Sequence, residues 1–296
     1  MKSGFIAVIG KANAGKSTLV NVLVGEKVAI VSPKPQTTRD RIMGVYNSDN
    51  AQIAFIDTPG LYRADNLLNS VMQKTSYDAA GDVDAILFVL DAHDGITDQD
   101  KKLIDKFKKA DIPFILALTK TDIMQESLLI SVIKEFSDCD FDVVPVSARK
   151  GKNLKELMKV LTSKLPEGER IFGEDVISDR SERFMLSEIM REKILLKFDK
   201  EIPHGVAIII NKFAPMDGGK MIEVNLDIIC EKPNHKAILI GKGGKAIKEV
   251  SSFARQDMEK FLGKKVFLTT YVKVKEDWRN SVGLLKEYGY GEETNS

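Results

Sequence analysis

Eight residues near the start of the chain, Gly10-Lys11-Ala12-Asn13-Ala14-Gly15-Lys16-Ser17, have the types and spacing of a phosphate cradle. The apolar run Phe5 to Ile9 leads into them, and helical Thr18 to Val24 follows. In that context glycines let backbone N–H groups wrap phosphate oxygens, Lys16 reaches the β and γ phosphates, and the Ser17 hydroxyl binds Mg2+. The nucleotide-contacting set runs from Gly10 through Thr18. A glycine turn that merely resembles such a loop is the alternative, and the order of strand, motif and helix speaks against it. The motif alone does not choose between ATP and GTP. A second motif, Asp57-Thr58-Pro59-Gly60, closes another apolar run. There an Asp can hold Mg2+ through water, and the Gly60 N–H can meet the γ-phosphate.

These motifs need strands and helices to hold them. Up to about residue 165, short β-rich runs alternate with helical stretches. The runs are Phe5 to Ile9, Arg41 to Tyr46, Gln52 to Ile56, Ala85 to Leu90, Pro113 to Leu118 and Phe141 to Val146. Several are continuously apolar, as strands buried on both faces of a mostly parallel sheet are, so the class is α/β. Residues 166–178 mix Pro, Gly and acids without periodicity and read as a linker between a domain over 1–165 and a second over 179–296. Asp179 and Glu182 have capping-box spacing ahead of an apolar stripe through Phe184, Ile189, Ile194, Leu195 and Phe198, which predicts a helix. Two strand-like runs follow, Val206 to Phe213 and Met221 to Ile229, then a helical pair around Gly241-Lys242-Gly243-Gly244. That pair is His235 to Ile240 and Lys245 to Leu262, and Lys265 to Val274 is the last strand. The residues after Tyr290 read as a frayed end.

Over the first 165 or so residues the chain resembles the translation-factor class of P-loop GTPases. Thr119-Lys120-Thr121-Asp122 resembles the guanine motif, in which the Asp accepts two hydrogen bonds from guanine N1 and N2 while the Lys stem lies over the base. Ser147-Ala148-Arg149 matches the last base-contacting loop. Thr37-Thr38 lies where the class places its first switch; Thr38 is the choice for the second Mg2+ hydroxyl, with Thr37 the alternative. The resemblance therefore implies GTP and GDP as ligands, Ser17, Thr38 and Asp57 as the metal set, and Lys16, Thr38, Asp57, Gly60 and Asn13 as the catalytic set. Two positions depart from the class. Thr119 stands where an Asn usually ties the base loop to the phosphate loop, a departure that bears on tightness of binding more than on base identity. Leu61 stands where a Gln often positions water, so charge stabilisation must carry catalysis. Asn13 occupies the position associated, in GTPases lacking that Gln, with a potassium ion; it could equally bond the loop backbone.

The stretch Ile240 to Ile247 resembles the GxxG loop of KH RNA-binding domains, which clamps single-stranded backbone. Gly241, Lys242, Gly243, Gly244, Lys245 and Lys248 are the implied RNA contacts. A dinucleotide fingerprint fails because no strand precedes the loop, and a plain helix-connecting turn is the remaining alternative. The order helix, strand, strand, helix, loop, helix, strand matches the bacterial type of KH domain (type II, α+β). From Lys232 to Lys275 eleven basic residues face three acidic ones, a net +8 suited to a polyanion. A GTPase with these switches and one C-terminal KH domain is similar to the bacterial ribosome-assembly GTPases. That resemblance implies binding near the 3′ end of small-subunit ribosomal RNA, work on the 30S subunit and peripheral contact with the inner membrane. A monomer is expected. The alternative is an RNA-binding scaffold that holds guanine nucleotide with negligible turnover.

Across 296 residues, 43% hydrophobic and 29% charged describe a soluble globular chain with no run long enough to span a bilayer. The N-terminal apolar run is too short for a signal core, so residence in the cytoplasm is expected. Cys139 and Cys230 lie far apart and read as reduced thiols. The acids from Asp91 to Asp100 read as surface charge, and Trp278 as packing for a terminal helix.

Overall fold

The computed structural model describes residues 1–61, 65–91, 93 and 95–290, so the end expected to fray after Tyr290 and Asp94 of the acidic stretch lie outside the described residues. By its contacts the chain forms two compact units.

The first unit is built on six strands: β1 (Lys2–Ile9), β2 (Ile42–Asn47), β3 (Ala51–Asp57), β4 (Ala85–Asp91), β5 (Phe114–Thr119) and β6 (Asp142–Pro145). Their order is β2-β3-β1-β4-β5-β6, with only β2 antiparallel to its neighbour. Helices α1 (Lys16–Val24), α2 (Leu67–Asp78), α3 (Asp98–Lys108), α4 (Glu126–Lys134) and α5 (Leu154–Lys164) connect them. Successive strand residues feed two cores. Ile6, Val8, Phe55, Leu87 and Ile115 pack with Leu19, Leu157 and Leu161, while Ala7, Ile9, Phe88 and Leu116 pack with Ile104 and Phe107. Burial on both faces is why these strands read as continuous apolar runs rather than alternating ones.

The stretch expected as a linker is firmly held within this unit. The Gln52 side chain, 1% exposed, accepts from the N–H groups of Ile171 and Phe172 at 2.7 and 2.9 Å and donates to Phe172 O at 2.9 Å. Phe172 meets Phe5 edge-on, and Val45 N donates to Ile177 O at 2.8 Å. A buried carboxamide that satisfies a strap's backbone makes the strap part of the sheet's covering.

In the second unit, α6 (Glu182–Lys197), α7 (Pro233–Ile240) and α8 (Lys245–Leu262) pack on one face of a sheet ordered β7-β8-β9. β7 (Ala207–Met216) runs antiparallel to β8 (Met221–Cys230), and β9 (Lys265–Val274) runs parallel to it. The capping box read at Asp179 and Glu182 is not formed: Ser181 caps α6, its Oγ accepting from Phe184 N, while Asp179 accepts from Met43 N at 3.0 Å. The expected cap lies two residues early, because Ser181 follows two positions after the aspartate and caps as well. Trp278 is fully buried, donates to Gly205 O at 3.0 Å and lies against Tyr288 and Tyr290 beside α9 (Val282–Glu287). By contacts Ser32–Thr37 also belongs to this second unit. No helix among the described residues is long and apolar enough to cross a membrane.

Candidate nucleotide site and RNA loop

The parallel strands deliver their motifs to one edge. β1 ends at Ile9, β3 at Asp57, β4 at Asp91 and β5 at Thr119, with Val8 in register with Asp57 and Asp91 with Thr119. The crevice beyond the carboxyl ends of such strands is where this kind of sheet binds ligands. At Gly10 a Cβ would lie 2.2 Å from Val89 O, so only glycine lets the loop leave the sheet there. Gly15 turns the loop into α1 with φ +93°, and α1 begins with no side-chain cap and no acid in its first turn. Its free N–H groups and positive dipole end are left for an anion.

Lys16 is buried and its Nζ donates to Gly10 O and Lys11 O at 3.0 and 2.9 Å. Beside it Ser17 Oγ donates to Asp57 Oδ2 at 2.6 Å and lies 2.7 Å from Thr38 Oγ1, which is 3.3 Å from the same carboxylate oxygen. Thr37, the alternative, turns its hydroxyl back to Lys34 O at 2.7 Å. Burial pushes the Asp57 carboxyl up to about 6, against the pull of Lys16 and of the Ser17 and Thr38 hydroxyls. Burial likewise lowers Lys16 to about 8, with Asp57 opposing. Asp57 Oδ1 is buried and accepts no hydrogen bond. Two hydroxyls and a carboxylate with a spare buried oxygen are the donors a hard divalent cation takes, so the residues present fit Mg2+.

The elements expected to bind the base are tied together by their own side chains. Asp122 accepts from Ser147 Oγ at 2.6 Å, and that bond first, then nearby Arg149 and Lys150, holds its carboxyl below the usual range, ionised and aimed. Lys120 pairs with Asp91, and Ser147 is itself fixed by accepting from Lys150 N at 3.1 Å. Ala148 follows Ser147 partly buried, and Arg149 is exposed. Thr119 does what sequence reading assigned to the usual Asn: its hydroxyl donates to Ala14 O at 2.6 Å and lies 3.1 Å from Leu90 O, tying base loop to phosphate loop. A short side chain suffices because β5 ends directly beneath the loop, a proximity that residue type alone does not reveal.

The second switch lies on the phosphate loop. A Cβ at Gly60 would be 2.5 Å from the Ala12 Cα, and Leu61 N donates to Gly10 O at 3.0 Å. Thr58 Oγ1 donates to Val8 O at 2.8 Å, and Pro59 O accepts from Ser76. The Leu61 side chain is 4% exposed and belongs to the core with Ile9 and Phe88. Asn13 is exposed at the loop's tip with φ +63°. Asp100, read as surface charge, is 3% exposed: it closes the capping box of α3 with Thr97 and pairs with Lys11 at 2.9 Å. That pairing across the loop is invisible in the local acid count.

In the second unit Gly241 takes φ +72° where a Cβ would lie 2.7 Å from that of Ala246, whereas Gly243 and Gly244 face open space at φ +60° and +75°. Lys242, Lys245 and Lys248 are exposed around them, and α8 opens with no side-chain cap. The loop thus offers cations and close backbone approach together.

Residues 5–120 match the model of the 50S ribosome-binding GTPase family, and residues 201–279 that of the KH domain. The chain is 43% identical to GTPase Era of Alkaliphilus metalliredigens, over 98% of this chain and 99% of that protein. The chain belongs to the Era family of GTPases. Era of Clostridioides difficile is 42% identical over the same shares. Among solved structures, Era from Aquifex aeolicus bound to GDP.AlF4- superposes with a TM-score of 0.95 at 39% identity, over 99% of this chain and 100% of that one. An Era structure in complex with MgGDPNP and nucleotides 1506–1542 of 16S ribosomal RNA gives 0.95 at 40% identity, with the same coverage. Membership of the Era family makes the chain a GTPase built from an α/β P-loop domain followed by a KH domain.

The tie made by Thr119 gives a direct expectation. Thr119→Val, nearly equal in volume, should cost about 1 kcal/mol of nucleotide affinity, roughly fivefold in Kd. Preference for GTP over ATP should stay, because Asp122 is untouched. Calorimetric titration with both nucleotides checks this, and unchanged GTP affinity would show the tie to be idle.

Proposed function

We propose that the chain is a GTP-driven switch that binds the 3′ end of small-subunit ribosomal RNA through the Gly241 to Gly244 loop and assists maturation of the small subunit. The observation that carries the first half is the meeting of Ser17, Thr38 and Asp57 beside buried Lys16, with Asp57 Oδ1 left without a partner. These residues would hold Mg2+, which supplies charge neutralisation at the β and γ phosphates. Lys16, released from the carbonyls of Gly10 and Lys11, would turn to the same phosphates, and Gly60 would offer its N–H to the γ-phosphate. Asp122 selects guanine, since adenine has no N–H pair to match a carboxylate. The second half is supported by the exposed lysines around an open glycine loop and by the relative captured with a 16S RNA fragment. Work in the cytoplasm as a monomer, with peripheral contact at the inner membrane, completes the proposal.

With Leu61 in the core, no side chain at that position orients water. Asn13, exposed at the loop tip, is assigned a potassium ion beside the phosphates. Turnover should then be faster in potassium than in sodium at equal ionic strength, and Asn13→Ala should erase the difference. Equal rates in both salts would leave Asn13 with a loop-shaping role alone.

For the RNA half, replacing Lys242 and Gly243 together by Asp should abolish binding to a fragment from the 3′ end of small-subunit RNA while sparing GTP affinity. The pair of carboxylates would repel the phosphates that the loop must clamp; a Cβ at Gly243 meets no neighbouring atom, and its φ of +60° costs the new side chain only about 1 kcal/mol of backbone strain. A scrambled strand of equal length serves as control. Undiminished selective binding by the double variant would place recognition elsewhere.

A further inference from the structure

Arg191 on α6 is 1% exposed, one of the two largest fully buried side chains among the described residues, and the nucleotide chemistry above gives it no task. A buried guanidinium is tolerated only when its charge is balanced and its donors are filled. Glu188 balances it with a two-pronged pair, Nε to Oε1 at 2.7 Å and Nη2 to Oε2. Two further donors go to main chain of the segment Ser32–Thr37: Nη1 to Gln36 O at 3.3 Å and Nη2 to Thr37 O. Two consecutive carbonyls are thereby held by one rigid fork, which a lysine could not reproduce.

The segment they belong to is otherwise an uneasy one. Gln36 sits at φ +60°, a conformation that costs a residue with a side chain about 1 kcal/mol or more. Other bonds anchor the same turn, with Lys34 Nζ reaching Asp199 Oδ1 at 2.7 Å and the carbonyl of Phe198, and Thr37 Oγ1 bonding back to Lys34 O. The next residue is Thr38. The Thr37 carbonyl and the N and Cα of Thr38 share one planar peptide, so fixing the direction of that carbonyl fixes where the Thr38 side chain starts. The backbone torsion about Thr38 N–Cα and one side-chain torsion then separate that peptide from the hydroxyl that lies 2.7 Å from Ser17 Oγ.

We propose that Arg191, anchored by Glu188, is a positioning residue for GTP hydrolysis: it holds the Thr37 carbonyl and, through that peptide, aims the Thr38 hydroxyl at the Mg2+ set. This rests on the reading of Thr38 as a metal ligand. GDP binding through the phosphate loop and the base motifs does not depend on it, nor does RNA binding at the glycine loop.

The test is a double-mutant cycle on the full chain. Arg191→Lys should lower kcat for GTP about 10- to 100-fold, the scale for slight misplacement of a group at the reacting centre. It should also raise the Mg2+ concentration for half-maximal rate, with GDP and RNA-fragment affinities unchanged. In a Thr38→Ala background the same substitution should cost nothing more, because the residue through which it acts is gone. If Arg191→Lys fails to fold, Glu188→Gln, which keeps volume and loosens the fork, is read in the same cycle with a smaller loss expected. Losses that multiply independently in the Thr38→Ala background, or a wild-type kcat for the single variant, would overturn the proposal. Should Thr38→Ala alone keep wild-type kcat and Mg2+ dependence, the ligand reading itself falls and takes the proposal with it.

Discussion

The site depends on two opposite charges sunk where β1 and β3 end. Lys16 and Asp57 attract each other, yet burial wins for both, lowering the lysine to about 8 and raising the carboxyl to about 6. Each charged form therefore carries a desolvation penalty that their mutual attraction does not cancel. A phosphate for Lys16 and a divalent cation for Asp57 would relieve both at once. The rest of the first unit serves that arrangement: apolar cores on two sides of the sheet keep water out, and the parallel register brings Asp57 beside the start of the phosphate loop.

Rigidity around the pair comes from small groups placed at strand ends. Thr119 reaches the carbonyl of Ala14, Thr58 that of Val8, and Ser147 orients Asp122. Each is a hydroxyl that spends its proton on a single strong acceptor, leaving carboxylates and backbone N–H groups aimed outward. The first switch is held differently. Its turn at Ser32–Thr37 hangs on a buried guanidinium and on Lys34, while Thr38 alone reaches the metal donors. On the proposed reading, a residue so placed would link the state of the phosphate site to the state of its own turn.

Much of this was legible in the residues because it is local. The phosphate loop, the Asp57 and Thr119 motifs and the GKGG loop each follow from spacing plus a preceding strand or helix, and α8 and β9 span the residues their patterns predict. What escaped reading depends on partners distant in sequence. Asp179 bonds Met43 instead of capping α6, Gln52 fastens residues 171 and 172, Asp100 pairs with Lys11, and Thr119 compensates for the missing Asn. Arg191 is the sharpest case. An Arg three residues after a Glu on a helix usually marks a solvated face, but here Met190 and Ile194 beside it are fully buried, and only tertiary packing reveals the pair as interior.

On the proposed function, buried Lys16 and Asp57 form the working end of a guanine-specific hydrolase. Steady-state phosphate release by the full chain, with GTP and ATP in parallel and a Lys16→Ala chain as control, tests it most directly. Mg2+-dependent release from GTP is expected, with little from ATP and background from the Lys16→Ala chain. Comparable release from ATP, or from GTP by the Lys16→Ala chain, would contradict it.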